Sequence, residues 1–187
     1  MCNLFGVLPH QGPASEILTS SAVAITFFLM PLSTATAAQL IYSQTSGATC
    51  QSSGESPNES RCNGPLGYTA VILKDNGVVR INFGRLSDGH LKRSRITSDL
   101  LWRGAASFIH DRIEWRLVRN RPVAAIVLIF TFTEDDFPLQ QFLIAKVTPQ
   151  GSCEIARVSV SESNAYGTGR DIADSQGPIT ECEFEAR

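Results

Sequence analysis

The first third of this sequence lacks positive charge. No lysine or arginine precedes Arg61, and Ile17–Gly54 carries no charge of either sign. The positively charged n-region of an ordinary signal peptide is therefore missing. An uncharged stretch also suits a membrane-spanning helix, but such a helix needs about 20 mostly apolar residues. The densely apolar part here is only Ala22–Leu32, which disfavours a spanning helix.

Small residues follow the apolar run, at Ser33–Ala38. An apolar run of about 7–15 residues before an Ala-x-Ala site is typical of a secretory signal peptide, and Ala35-Thr36-Ala37 supplies that site. We therefore expect residues 1–38 to be cleaved. The mature chain is then periplasmic or secreted, without stable membrane insertion. The alternative is a chain that stays membrane-anchored through an uncleaved N-terminal segment.

Motifs for metal, nucleotide and nucleophilic chemistry are missing as well. The sequence has no Cys-x2-Cys pair of the kind that zinc sites use. It has no Gly-x-Ser-x-Gly elbow, and no Gly-rich phosphate loop follows a predicted strand. We therefore expect no metal and no cofactor.

Four cysteines lie beyond the expected signal peptide: Cys50, Cys62, Cys153 and Cys182. An even count in an exported chain indicates two disulfide bonds, and the sequence leaves three connectivities open. We favour Cys50–Cys62, which flanks a polar loop. The remaining pair, Cys153–Cys182, would then tie a strand to the end of the chain.

Alternating and continuous apolar runs predict an antiparallel sheet. Two β-rich runs within Gly67–Gly84 are joined by Asn76-Gly77, which is the strongest short signal for a hairpin. Ile113–Arg119 alternates between apolar and polar residues. Val123–Phe132 is almost continuously apolar, as in a central strand buried on both faces. Two further strands are predicted at Gln141–Val147 and Glu154–Val160.

A helix is predicted at Asn164–Asp174, where Ala165, Ile172 and Ala173 could face the sheet. We expect an α+β fold: an antiparallel β-meander of about five or six strands with the C-terminal helix packed on it. A second, short helix is predicted at Ser98–Ala106. The expected organisation is a signal peptide (1–38), an irregular disulfide-tied segment (39–66) and a single α+β domain (67–187).

A set of short motifs and single residues occurs in this order along the chain: Cys62, Gly64–Tyr68, Glu114–Arg116, Ala145–Val147, Gly151, Cys153, Asn164-Ala165, Arg170–Asp174 and Cys182. The set resembles a group of small uncharacterised exported proteins from alphaproteobacteria, over roughly residues 62–182. The resemblance implies export to a Gram-negative periplasm and supports the Cys153–Cys182 bond. It implies no substrate.

The catalytic candidates are weak. His90 and His110 could act as general bases, and Asp135 and Asp136 offer carboxylates for acid–base chemistry. However, the adjacent carboxylates of Glu134–Asp136 are more often a solvated turn. A small periplasmic hydrolase that uses these residues is therefore the alternative hypothesis.

Four arginines surround Trp115 and are candidates for anion binding: Arg112, Arg116, Arg119 and Arg121. Base-stacking sites combine cations with exposed aromatic rings. Trp115 instead shares the phase of Ile113 and Leu117, so we expect it to be buried and expect no nucleic-acid binding. The leading hypothesis is an exported, non-enzymatic domain that binds a protein or an envelope component.

Overall fold

Two antiparallel sheets and one C-terminal helix form the described part of the chain. The structure is a computed structural model that describes residues 38–53, 56–86, 91, 107–132 and 138–184. All of them lie in one compact unit, Ala35–Arg187. The elements are β1 (Gln39–Gln44), β2 (Cys50–Ser53), β3 (Ser56–Asn63), β4 (Thr69–Asp75), β5 (Val78–Gly84), β6 (Ser107–Val118), β7 (Arg121–Phe132), β8 (Pro138–Val147), β9 (Ser152–Ser159) and α1 (Ala165–Gln176).

The strands form three layers together with the helix. The larger sheet has the order β1-β6-β7-β8-β9, and the smaller sheet has the order β2-β3-β4-β5. One face of the larger sheet packs against the smaller sheet, and α1 packs on its other face. The predicted α+β class and the C-terminal helix are confirmed.

The described residues hold nine strands rather than five or six. The additional strands, β1 to β3, form in segment 39–66, which we expected to be irregular. β1 pairs antiparallel with β6 in a register that aligns Gln39 with Leu117. The formation of β1 depends on this cross-strand partner, which lies far away in the sequence and is not visible in the local pattern.

The predicted hairpin is confirmed and joins β4 to β5. Asn76 and Gly77 have φ angles of 48° and 78°, as a two-residue primed turn requires. The β6–β7 turn is built in the same way from Arg119 and Asn120, with φ angles of 51° and 58°. Arg121 already belongs to β7, so these two residues form the whole connection.

The main core lies between the two sheets and is centred on Trp115. Its indole is fully buried, and the ring of Phe83 meets it edge-on at 5.3 Å between centroids. Gly64 comes so close that an added Cβ would lie 2.5 Å from the indole. The expected burial of Trp115 is confirmed, and the indole N–H donates to Ser43 Oγ at 2.7 Å.

The central strand β7 is covered on both faces, as its apolar run predicted. Ala125 and Val127 face the smaller sheet, whereas Ala124 and Ile126 face the helix. On α1, the expected side faces the sheet: Ala165 and Ala173 are buried, and Ile172 packs beside them. Gly169 is also buried, and a Cβ added to it would lie 3.7 Å from the side chain of Ile144.

Both favoured disulfides are present, Cys50–Cys62 and Cys153–Cys182. Cys153 is the second residue of β9, and Cys182 follows α1. Their Cα atoms are 5.6 Å apart. The second bond therefore ties the chain that leaves the helix to the sheet on which the helix packs.

Loss of the second disulfide should loosen α1 first. In Cys182→Ser, we expect amide protection across Ala165–Ala173 to fall at least about tenfold, which corresponds to about 1.4 kcal/mol. Protection in the β4–β5 hairpin should change much less, because this bond does not involve its sheet. Hydrogen exchange measured by NMR gives both values, and a hairpin that opened together with the helix would contradict the local role.

Some predicted elements lie outside the described residues. These are the signal peptide, the short helix at Ser98–Ala106 and the Glu134–Asp136 turn. In the described part of the chain, no helix is long and apolar enough to cross a membrane.

Candidate functional site

A buried carboxylate lies between the larger sheet and the helix. Glu114 on β6 is only 3% exposed, and Arg116, two residues further on the same face, is 8% exposed. Strand alternation places both opposite to Trp115, as the sequence indicated. The sequence did not show that α1 covers them.

The helix places three polar side chains against the face of β6 that carries Glu114 and Arg116. Tyr166, Arg170 and Asp174 are spaced four residues apart, which places them on one side of α1. We call these three residues together with Glu114 and Arg116 the polar cluster.

Each acidic group of the polar cluster is held by an arginine. Arg170 donates from Nε and Nη2 to Glu114, each at 2.9 Å. Arg116 donates from Nε and Nη2 to Asp174 at 2.7 and 2.5 Å, and from Nη1 to Glu114 at 3.1 Å. The hydroxyl of Tyr166 also donates to Glu114. The cluster therefore joins α1 to the middle of β6 through charge-assisted bonds.

The electrostatics keep Glu114 ionised. Burial by itself raises the pKa of Glu114, but the hydrogen bonds from Arg170 and Tyr166 and the charges of Arg170 and Arg116 outweigh it. The pKa therefore lies below its ordinary value. Burial and the bond to Glu114 raise the pKa of Tyr166, which stays protonated at neutral pH.

These properties indicate a structural role for the polar cluster. A general base needs a pKa near the working pH and a free lone pair aimed at substrate. Glu114 has a lowered pKa, and its oxygens accept from two arginines and Tyr166. The cluster holds the helix against the sheet.

Tyr42 on β1 extends the polar cluster to the sheet edge. Its hydroxyl lies 3.2 Å from that of Tyr166 and donates to Glu114 at 3.4 Å. The guanidinium of Arg112 lies 4.6 Å from the centroid of the Tyr42 ring, as in a cation–π contact. The cluster therefore also fixes the orientation of β1.

Sequence reasoning missed the polar cluster as a site, although it named Arg116. The available signal was the spacing of Tyr166, Arg170 and Asp174 on one helix face, combined with charges at alternate positions of a β-strand. That signal becomes readable only once the helix is known to lie over β6.

The four anion-binding candidates are not brought together. Arg116 is buried in the polar cluster, and Arg112 lies over Tyr42. Arg119 is one of the two residues of the β6–β7 turn, and Arg121 is the first residue of β7. Arg112 lies six residues before Val118, the last residue of β6, so the candidates are distributed along the hairpin.

Of the catalytic candidates, only His110 is described. It is exposed, and its Nδ1 lies 2.8 Å from Oδ1 of Asp111, which is more exposed still. His90, Asp135 and Asp136 lie outside the described residues. Within the described ranges, no group of three or more His, Cys, Asp or Glu side chains is placed to hold a metal ion.

Three adjacent large apolar residues are exposed on the edge strand β1. Leu40, Ile41 and Tyr42 are 39%, 38% and 43% exposed. β1 is the first strand of the larger sheet and pairs with β6 on one side only among the described residues. The strand carries no charged side chain.

Comparisons with known proteins returned no match for this chain. No family model matches it. No curated protein and no solved structure matches it either. Functional inference therefore depends on the chemistry and geometry of the molecule itself.

Proposed function

We propose that this chain is an exported, non-enzymatic domain that binds a protein or an envelope component through the outer edge of β1. The observation that carries the proposal is the row of adjacent exposed apolar residues on an uncharged edge strand, Leu40–Tyr42.

Uncharged apolar edge strands are unusual because a strand of another molecule can pair with them. Proteins normally protect an edge with charged residues, proline, bulges or a very short strand. The other edges of the two sheets follow this rule: β9 carries Glu154 and Arg157, β5 carries Arg80, and β2 has only four residues. β1 has none of these protections, so it suits a partner that adds an extended strand.

The polar cluster supports a binding role over a catalytic one. Its charges are paired within the domain, and its geometry stabilises the strand that presents the edge. Tyr42 belongs to the edge and also contacts Glu114. The cluster therefore fixes β1 in a conformation that is ready to pair, which lowers the entropy cost of binding.

Photo-crosslinking in the producing cells tests the proposal. A photoreactive amino acid replaces Leu40, and the matched control replaces Ile179, which is 76% exposed but lies beyond α1. We expect a crosslinked product from position 40 and little or none from position 179. No product from position 40, or equal yields from both positions, would contradict binding at this edge.

Export is the second part of the proposal. It is supported by the apolar N-terminal run and by the two disulfide bonds, which persist in oxidising compartments. The protein recovered from the envelope fraction should begin at Ala38 or Gln39, immediately before or at the start of β1. Intact-mass spectrometry measures this directly, and a chain that retained Met1 would overturn the cleaved-signal proposal.

A further inference from the structure

We infer that the strand that pairs with β1 is β1 of a second copy of this chain, so that two larger sheets join across a two-fold axis at Ile41. This inference rests on the proposed function, because it names the partner of the same edge.

The direction of the backbone groups defines which residues can pair. The N–H of Thr45 donates to the carbonyl of Asp111 at 2.8 Å, in the same register that aligns Gln44 with Arg112. Backbone N–H and C=O groups alternate in direction along an antiparallel strand. The groups that point toward β6 are therefore those of Gln39, Ile41 and Ser43. Leu40 and Tyr42 therefore direct their N–H and C=O groups outward.

The far end of the edge is less open than its middle. Gln44 shares the outward direction, but Sγ of Cys50 lies 3.7 Å from its carbonyl oxygen. A partner strand consequently has its best access at Leu40 and Tyr42.

Symmetry then selects the register. When a two-fold axis normal to the sheet relates two antiparallel strands, equivalent side chains lie on the same face of the joined sheet. A residue therefore pairs either with its own equivalent in the second copy or with a residue an even number of positions away. Centring on Tyr42 would pair Leu40 with the obstructed Gln44, and centring on Leu40 would pair Tyr42 with Ala38, which lies outside β1. Centring on Ile41 pairs Leu40 with Tyr42 of the second copy through their outward backbone groups.

The Ile41-centred register also matches side-chain chemistry. Ile41 meets its own equivalent on the face that carries Trp115, and Leu40 meets Tyr42 on the face that carries Glu114. Apolar and aromatic cross-strand pairs stabilise a sheet. No charged side chain of β1 faces its equivalent, so self-pairing brings no like-charge repulsion within the strand.

Sedimentation equilibrium of the exported, disulfide-bonded protein tests the inference without any substitution. We expect the mass to rise with concentration from that of one chain to twice that value. Ile41→Lys should abolish the rise, because two ammonium groups would then lie directly opposite each other. Ile179→Lys is the matched control and should behave as the native chain. A native chain that stayed monomeric up to about 1 mM would overturn the inference.

A cysteine pair tests the register. Ile41 and its equivalent form a non-hydrogen-bonded pair, with Cα atoms about 4.5 Å apart, which a disulfide can bridge. Ile41→Cys should therefore give an oxidised two-chain product. Leu40→Cys should give at least tenfold less, because the equivalent positions are offset by two residues and exceed the reach of about 7 Å. Equal yields, or a higher yield from position 40, would overturn the register.

The crosslinking experiment separates this inference from the proposed function. A position-40 product with twice the chain mass supports both. A product with a different molecule supports the proposed function and overturns pairing with a second copy. The absence of any product contradicts both.

Discussion

Glu114→Gln should lower the free energy of unfolding by about 3 kcal/mol, near the cost of removing the buried partner of an ion pair. The substitution keeps the shape of the side chain but removes its charge. Arg170 then loses its charged acceptor and Arg116 loses one of two. The Arg170 guanidinium then lies at the sheet–helix boundary without a carboxylate partner, whereas Arg116 keeps its two bonds to Asp174. Denaturant titration with the disulfides intact measures the change.

Glu154→Gln is the matched control. Glu154 on β9 forms an ion pair with Arg157, and its carboxylate side chain is 23% exposed, compared with 3% for Glu114. Ion pairs that water still reaches contribute about 0–1 kcal/mol, so the control should change stability less than Glu114→Gln does. Equal losses in the two variants would contradict the structural role of the polar cluster.

The pH dependence of stability provides a second readout of Glu114. Its pKa in the folded protein is lowered from the ordinary value of 4.5. The stabilisation from the ionised carboxylate is therefore complete above that ordinary value and is lost as the pH falls through the lowered pKa. The native protein should lose stability in acid more steeply than Glu114→Gln. Parallel acid profiles for the two proteins would rule out this contribution.

Ile129→Ala should lower the free energy of unfolding by about 2–5 kcal/mol. Ile129 is 5% exposed on the central strand β7, where it belongs to the core between the two sheets. Truncation removes buried apolar surface and leaves a cavity that surrounding strands cannot close. The measurement is again denaturant titration.

Ile179→Ala makes the same chemical change at a position that is 76% exposed. It should cost less than about 0.5 kcal/mol, as ordinary surface substitutions do. A loss of that small size at Ile129 would mean that β7 is not the centre of the core.

The parts of the fold that the sequence predicted are those encoded by neighbouring residues. The Asn76-Gly77 turn, the apolar run of β7 and the apolar face of α1 each depend on a few adjacent positions. Local pattern was sufficient because these elements bury one defined side, whichever partner covers it.

The parts that the sequence did not predict depend on contacts between distant segments. β1 exists because it pairs with β6, and its Ser43 accepts from the indole of Trp115. The polar cluster likewise requires α1 to lie over Glu114. Charged residues at alternate strand positions normally indicate a solvated face. Here the helix buries that face, and the pairing of opposite charges compensates the desolvation.

Amide hydrogen exchange along β1 tests most directly whether its outer edge is open for pairing. In dilute solution, we expect the amides of Leu40 and Tyr42 to exchange at least about tenfold faster than those of Ile41 and Ser43, which bond to β6. At high concentration, the amides of Leu40 and Tyr42 should become protected as two copies pair. Slow exchange at all four amides in dilute solution would show that the edge is already covered, and would contradict the account.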